Sequence, residues 1–245
     1  MTNGNTKIIG VGGYARAGKD LYCKIASSLL KDRGINSVKL AFADELKKEI
    51  DPMLKSLVNI SAFTTDVKEK DLIRPALVWL GCSRRTLSPG GMYWVEKVDK
   101  IITHYVKTRT NLSLMQPLII LISDVRFPNE ADWLRTKWNG WFVHLRKYKI
   151  EHVVCDFGRP NGGDVMVFDP PPNDEEAKND PLIREKADYK LDWEQIGLKE
   201  GQPMDDLIEN RYLRKCVEDS MEGVLNDVII SNTISKQLEI SSVCV

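Results

Sequence analysis

Short apolar runs and amphipathic stretches alternate along the first 145 residues. Residues 7–12 (KIIGVG) form an apolar run that stops in glycines, which predicts a buried strand. Residues 19–33 place Leu21, Ile25, Ala26, Leu29 and Leu30 at helical spacing, and Gly34 ends that helix. Residues 37–42 (SVKLAF) alternate like a strand, and 44–57 read as a helix with Asp44 as its cap. Two further helices are predicted over 66–80, capped by Thr65, and over 92–107. Residues 117–123 (PLIILIS) are apolar on every side, as a central parallel strand covered on both faces would be. A helix over 129–138 and a strand over 141–145 follow.

The pattern then loosens. Residues 148–215 contain GRPNGGD, DPPPND and many charges, and they read as an insertion or lid-like excursion. Order returns at 226–231 (NDVIIS), predicted as a last strand, with a short terminal helix over 234–240. Strands alternating with helices imply a doubly wound parallel α/β sheet in a single domain spanning 1–245. No internal repeat is present.

Composition narrows the function classes. Lys+Arg 35 balance Asp+Glu 35, so no global field favours nucleic acid or membrane, although local patches remain open. No apolar run approaches the roughly 20 residues that span a bilayer, and residues 1–6 lack the apolar core of a signal peptide. The five cysteines are widely spaced with no CxxC pair, which predicts free thiols in a reducing cytoplasm and no structural zinc.

The strongest chemical signal is Gly13-Tyr14-Ala15-Arg16-Ala17-Gly18-Lys19-Asp20, a GxxxxGK loop between a predicted strand and a predicted helix. Glycines let the backbone wrap so that successive N–H groups face phosphate oxygens, and the helix N-terminus adds its positive end. Lys19 then neutralises charge on the β- and γ-phosphates. Asp20 departs from the pattern, since a Ser or Thr hydroxyl normally meets Mg²⁺ there. A carboxylate also holds a hard cation, but it adds negative charge beside the phosphates.

That loop resembles the bacteriophage deoxynucleoside monophosphate kinases, whose loop has the form G-x-x-R-[SA]-G-K-D with Asp in the Ser/Thr place. Asp124-Val125-Arg126-Phe127-Pro128-Asn129-Glu130-Ala131 resembles their D-x-R-x-x-x-E block after the central strand. Weaker similarities run through Phe42-Ala43-Asp44-Glu45-Leu46-Lys47. They continue in Trp79-Leu80-Gly81 with Arg84 or Arg85 and then Tyr93-Trp94-Val95, in Arg146, and in 227–232. The similarity covers about 1–147 and 220–240. The family's H-x-S-E segment is hinted at only by Ser220 and Glu222, without the His, and no role is carried there.

The resemblance implies a P-loop nucleoside-monophosphate-kinase-like fold and transfer of the γ-phosphoryl of ATP to a deoxynucleoside 5′-monophosphate with Mg²⁺, in deoxynucleotide biosynthesis in the host cytoplasm. It implies that Gly13, Ala15, Arg16, Ala17, Gly18, Lys19, Asp20 and Arg146 bind ATP, and that Asp20 and Asp124 hold the metal. Lys19, Arg16, Arg126 and Asp124 would be catalytic. Arg84, Arg85, Trp94, Arg126 and Glu130 would bind the acceptor.

Each residue also has a plainer reading. Arg16 and the Arg84–Arg85 pair are solvated loop cations, Asp124 a helix cap, and Arg126 and Glu130 an ion pair. Trp94 and Tyr93 are core aromatics. Arg146 precedes the lid-like region, where Arg159 is a further candidate, because lids bring arginines over phosphates and exclude water. His104, His144 and His152 show no metal spacing, and His144 reads as a satisfied core residue. Two rival functions stand beside the first: phosphorylation of a modified pyrimidine nucleotide or a hydroxymethylated base in DNA, and a nucleotide-binding switch without transfer. An exposed apolar patch over 133–141 would support a homodimer.

Overall fold

Strand β1 (Thr6–Gly12) runs into the glycine loop, and helix α1 (Lys19–Asp32) leaves it. The computed structural model describes residues 6–111, 116–153, 163–197 and 203–243. After β2 (Asn36–Leu40) come three helices, α2 (Phe42–Val58), α3 (Val67–Leu87) and α4 (Tyr93–Asn111). Then follow β3 (Leu118–Val125), α5 (Pro128–Trp138), β4 (Trp141–Val153), β5 (Gly163–Phe168), α6 (Asp174–Glu185), β6 (Tyr189–Glu194) and α7 (Arg211–Val243). Contacts divide the chain into two units, one built on residues 39–115 and the other on 4–38 with 116–245.

In the second unit the strands form one sheet in the order β2-β3-β1-β4-β5, with β6 also paired to β4. β1 lies parallel to β3 (Ile8 opposite Ile120) and to β4 (Gly10 opposite Phe142), and β6 lies parallel to β4 (Leu145 opposite Leu191). The far end of β4 pairs antiparallel with β5. Tyr148 is paired to both Phe168 and Glu194, so β5 and β6 flank β4 on opposite edges.

Alternation along these strands dictates two covered faces. Ile9, Val11, Ile119, Leu121, Val143, Leu145, Leu191 and Trp193 form one buried cluster with Tyr22, Ile25 and Leu29 of α1 and Leu213, Val217 and Met221 of α7. Positions in the other phase point towards α5, where Leu134 and Phe142 close over Gly10. Helices cover both faces of a sheet whose central strands are parallel, which makes the fold doubly wound α/β.

Two expectations are corrected here. Residues 226–231 are helical, inside α7, and not a strand. Leu213, Val217, Met221, Leu225 and Val228 are buried at three- and four-residue steps with Val224 beside them, so 213–228 is amphipathic helix, and α7 continues unbroken through 231. The strand beside β4 is β6, from within the stretch 148–215, where Tyr189, Leu191 and Trp193 alternate with polar residues. Of the apolar patch expected over 133–141, Trp133 and Leu134 are buried, while Trp138 and Trp141 are half-buried and Trp141 donates its indole N–H to the Ser220 carbonyl at 2.9 Å.

The other unit is helical. Ile50, Leu54, Ala62 and Ile73 centre its core, with Leu77 and Leu80 packed against them. Asp66, and not Thr65, caps α3, accepting the Glu69 N–H at 2.9 Å. Gly81 does not end that helix. It sits inside α3, where a Cβ would come within 2.9 Å of Leu46, and the helix continues through Arg84 and Arg85 to Leu87. No helix among the described residues is long and apolar enough to cross a membrane.

Candidate functional site

The loop from Gly13 to Gly18 turns because two of its residues accept backbone angles that side chains resist. Gly13 has φ 127°, and a Cβ there would lie 2.2 Å from the Leu145 carbonyl oxygen. Gly18 has φ 93° at the start of α1, and a Cβ would meet the Trp193 ring at 2.5 Å. Between them Arg16 also adopts positive φ, 68°, with its side chain exposed and without a partner among the described residues.

Lys19 is buried, 8% exposed, and folds back over the loop. Its ammonium donates to the carbonyls of Gly13 and Tyr14 at 2.7 Å each. Burial pulls its pKa down to about 8, helped by the positive charge of Arg126, while Glu176, Asp124 and Asp20 push the other way. One arginine and three carboxylates therefore share the field of this amine. Asp20 lies in the first turn of α1, and Asp124 lies near the carboxyl end of β3.

Arg126 leaves the end of β3 with its guanidinium 2.9 Å from one oxygen of Glu176. The other oxygen of Glu176 accepts the backbone N–H of Ala15 at 2.7 Å. Glu130, 1% exposed, turns back to accept the N–H groups of Arg126 and Phe127 at 2.8 and 3.1 Å. It holds the entry to α5 by the logic of a capping box, with its carboxylate taken up by backbone.

Residues from the stretch 148–215 secure the loop from outside. Trp193 donates its indole N–H to the Ala17 carbonyl at 2.9 Å, and Lys147, just before that stretch, donates to the Arg16 carbonyl at 3.0 Å. Arg146 grips both oxygens of Asp192 at 3.0 and 2.7 Å, and its guanidinium lies 4.1 Å from the centre of the Phe168 ring. A cavity of about 300 Å³ opens there, lined by Tyr14, Ala15, Ala17, Arg146, Phe168 and Arg184. Behind it His144 is wholly buried. Its Nδ1 faces the Arg184 guanidinium at 3.1 Å, which only donates, so Nε2 carries the proton given to Asp180 at 2.9 Å.

No protein-family model matches the chain. No curated protein matches it either. Among solved structures the chain is similar to one described as "Crystal structure of APE1195", at 13% identity over 59% of this chain with a TM-score of 0.25. The alignment spans 62% of that protein's length. It is also similar to shikimate kinase from Acinetobacter baumannii in complex with shikimate, at 14% identity over 91% of this chain and 94% of that one, TM-score 0.35. A third is shikimate kinase from Aquifex aeolicus, at 15% identity over 85% and 95%, TM-score 0.29.

Arg84, Arg85 and Trp94 lie in the helical unit. Arg84 donates to Glu49 at 2.7 Å and stacks 5.0 Å from the centre of the Tyr93 ring. Burial raises the Glu49 pKa, but hydrogen bonds from Tyr93, Arg84 and Lys97 outweigh it and hold the carboxyl below its usual range. Arg85 is half-buried in the last turn of α3. Trp94 is a core residue, 1% exposed, donating to the Gly81 carbonyl at 3.2 Å. This corrects the stacking role expected of it, because no ring face is left for a base. Arg159 lies outside the described residues.

Glu176 is the functional candidate that sequence reading missed. Its signal was Asn173 followed three residues later by Glu176, the pattern of a helix N-terminus, inside a stretch read as irregular.

Proposed function

We propose that this chain transfers the γ-phosphoryl of ATP to a deoxynucleoside 5′-monophosphate. The observation that carries this reading is a loop amide and the Arg126 guanidinium sharing one carboxylate, Glu176, whose charge also acts on the buried Lys19. Amide, guanidinium and amine are all donors for anionic oxygen. Phosphoryl transfer between two polyanions depends on such cations and on in-line positioning more than on a base. An oxygen of the acceptor's phosphate bonds to the γ-phosphorus as the bond from that phosphorus to the β,γ-bridging oxygen breaks. ADP and the deoxynucleoside diphosphate are the products.

In this scheme the loop amides hold the triphosphate, and Lys19 moves from the Gly13 and Tyr14 carbonyls onto its oxygens. Arg126 and the exposed Arg16 neutralise the transferring group. Arg146 and Phe168 border the cavity that would take the donor's base. Asp20 and Asp124 offer hard oxygen ligands suited to Mg²⁺, which supplies charge neutralisation at the phosphates. Among the described residues no group of three metal-binding side chains comes together. The roles of Arg84 and Arg85 at the acceptor's phosphate rest on the sequence resemblance.

The test is a coupled assay of ADP release on a panel of deoxynucleoside monophosphates with ATP and Mg²⁺, run beside Lys19→Met. Turnover on at least one monophosphate, lost in a folded Lys19→Met, is expected. No turnover on any of them, or unchanged turnover in the variant, would overturn the reading.

A further inference from the structure

Glu176 is the third residue of α6, and Asn173 caps that helix by accepting the Glu176 N–H at 2.8 Å. A glutamate at this position ordinarily folds back onto the cap residue's own N–H. Here it reaches away across the sheet edge. One oxygen accepts Ala15 N–H at 2.7 Å, and the other accepts from Arg126 at 2.9 Å. Its side chain is 11% exposed, and its charge acts on buried Lys19. A single carboxylate thus bridges the loop amide and the arginine that the proposed reaction assigns to phosphate oxygens.

We infer that Glu176 is an internal stand-in for a phosphoryl group, occupying the anion position between Ala15 and Arg126 until a triphosphate displaces it. The inference rests on the reading above that this loop binds ATP. Without an anion, Arg126 and the Ala15 amide would face each other across a partly dry gap beside Lys19, and their mutual repulsion and desolvation would disfavour the folded loop. The carboxylate satisfies them. A triphosphate must then break two charge-assisted hydrogen bonds before it seats, so Glu176 weakens binding and releases Arg126 only when phosphate arrives. A diphosphate, which carries no third phosphoryl, can bind with the bridge intact.

The test is calorimetric titration of the full chain with Mg²⁺ and either the β,γ-imido analogue of ATP or ADP. Wild type, Glu176→Gln and Glu175→Gln are compared, the last removing an exposed charge one residue away. Glu176→Gln should bind the triphosphate analogue about tenfold more tightly, the equivalent of one charge-assisted hydrogen bond no longer to be broken. Its gain for ADP should be clearly smaller, and Glu175→Gln should change little. Unchanged or weaker triphosphate binding in Glu176→Gln overturns the inference, as does an equal gain in Glu175→Gln, which would mean a general field effect.

Should Glu176→Gln fail to fold, Glu176→Asp serves. Its carboxylate is one methylene shorter and cannot span both partners, so the same tightening is expected and its absence is equally decisive. Tighter triphosphate binding without turnover on any monophosphate would uphold the stand-in and overturn the acceptor assignment. Nucleotide binding by none of the proteins would overturn both.

Discussion

Trp193 holds the glycine loop from behind: its indole N–H donates to the Ala17 carbonyl at 2.9 Å. The same ring fills the space a side chain at position 18 would need. The loop's shape is therefore set jointly by a glycine in the motif and by a tryptophan 175 positions later in the chain.

Trp193→Phe keeps the buried ring and deletes the donor, leaving the Ala17 carbonyl unsatisfied at a dry position. The expected cost is about 1–3 kcal/mol in chemical denaturation. Gly18→Ala should be worse for ligand binding than for stability, since it forces both an unfavourable φ and a displacement of Trp193. Wild-type nucleotide affinity in Gly18→Ala would refute this account of the loop.

Triphosphate binding should weaken as pH rises through about 8. Burial depresses the Lys19 pKa to about that value, so above it the free protein presents a neutral amine. A bound polyanion favours the charged form, and protons are then taken up on binding. Calorimetry at pH 9 in buffers of different ionisation enthalpy should detect that uptake. Lys19→Met should abolish it.

His144 contributes a pH dependence to stability with a defined sign. Burial is the largest influence on its pKa and lowers it, outweighing the hydrogen bond that His144 donates to Asp180. The unfolded state therefore binds the proton more readily, and stability falls as pH drops below the ordinary value of about 6.5. Thermal unfolding between pH 5 and 7.5 should show this slope in wild type, with a smaller one in His144→Gln. A variant slope equal to that of wild type would refute it.

Arg146→Lys should raise the KM for ATP by about tenfold with a smaller change in kcat. A lysine loses the two-pronged grip on Asp192 and the flat contact with Phe168, both of which shape the cavity beside Tyr14. An unchanged KM would separate that cavity from donor binding.

Much of the site was legible locally. Strand, glycine loop and helix follow one another within 27 residues, so the loop and the position of Lys19 are short-range consequences of glycine placement and apolar period. The central strand 118–125 and the helix after it were equally plain, which put Asp124, Arg126 and Glu130 at the carboxyl edge of the sheet. Residues 226–231 misled because Val228, Ile229 and Ile230 are β-branched and consecutive. Their helical spacing shows only when the window reaches back to Leu213.

By itself, then, the sequence determined the glycine turn, its lysine and the α/β alternation, because each is written in contacts a few residues apart. Only the tertiary structure decided what surrounds them. The choice of β6 as the strand beside β4, the anchoring of Ala17 by Trp193 and the carboxylate of Glu176 between Ala15 and Arg126 join residues from 46 to 176 positions apart. Such pairings depend on which elements pack side by side, and no local period records that.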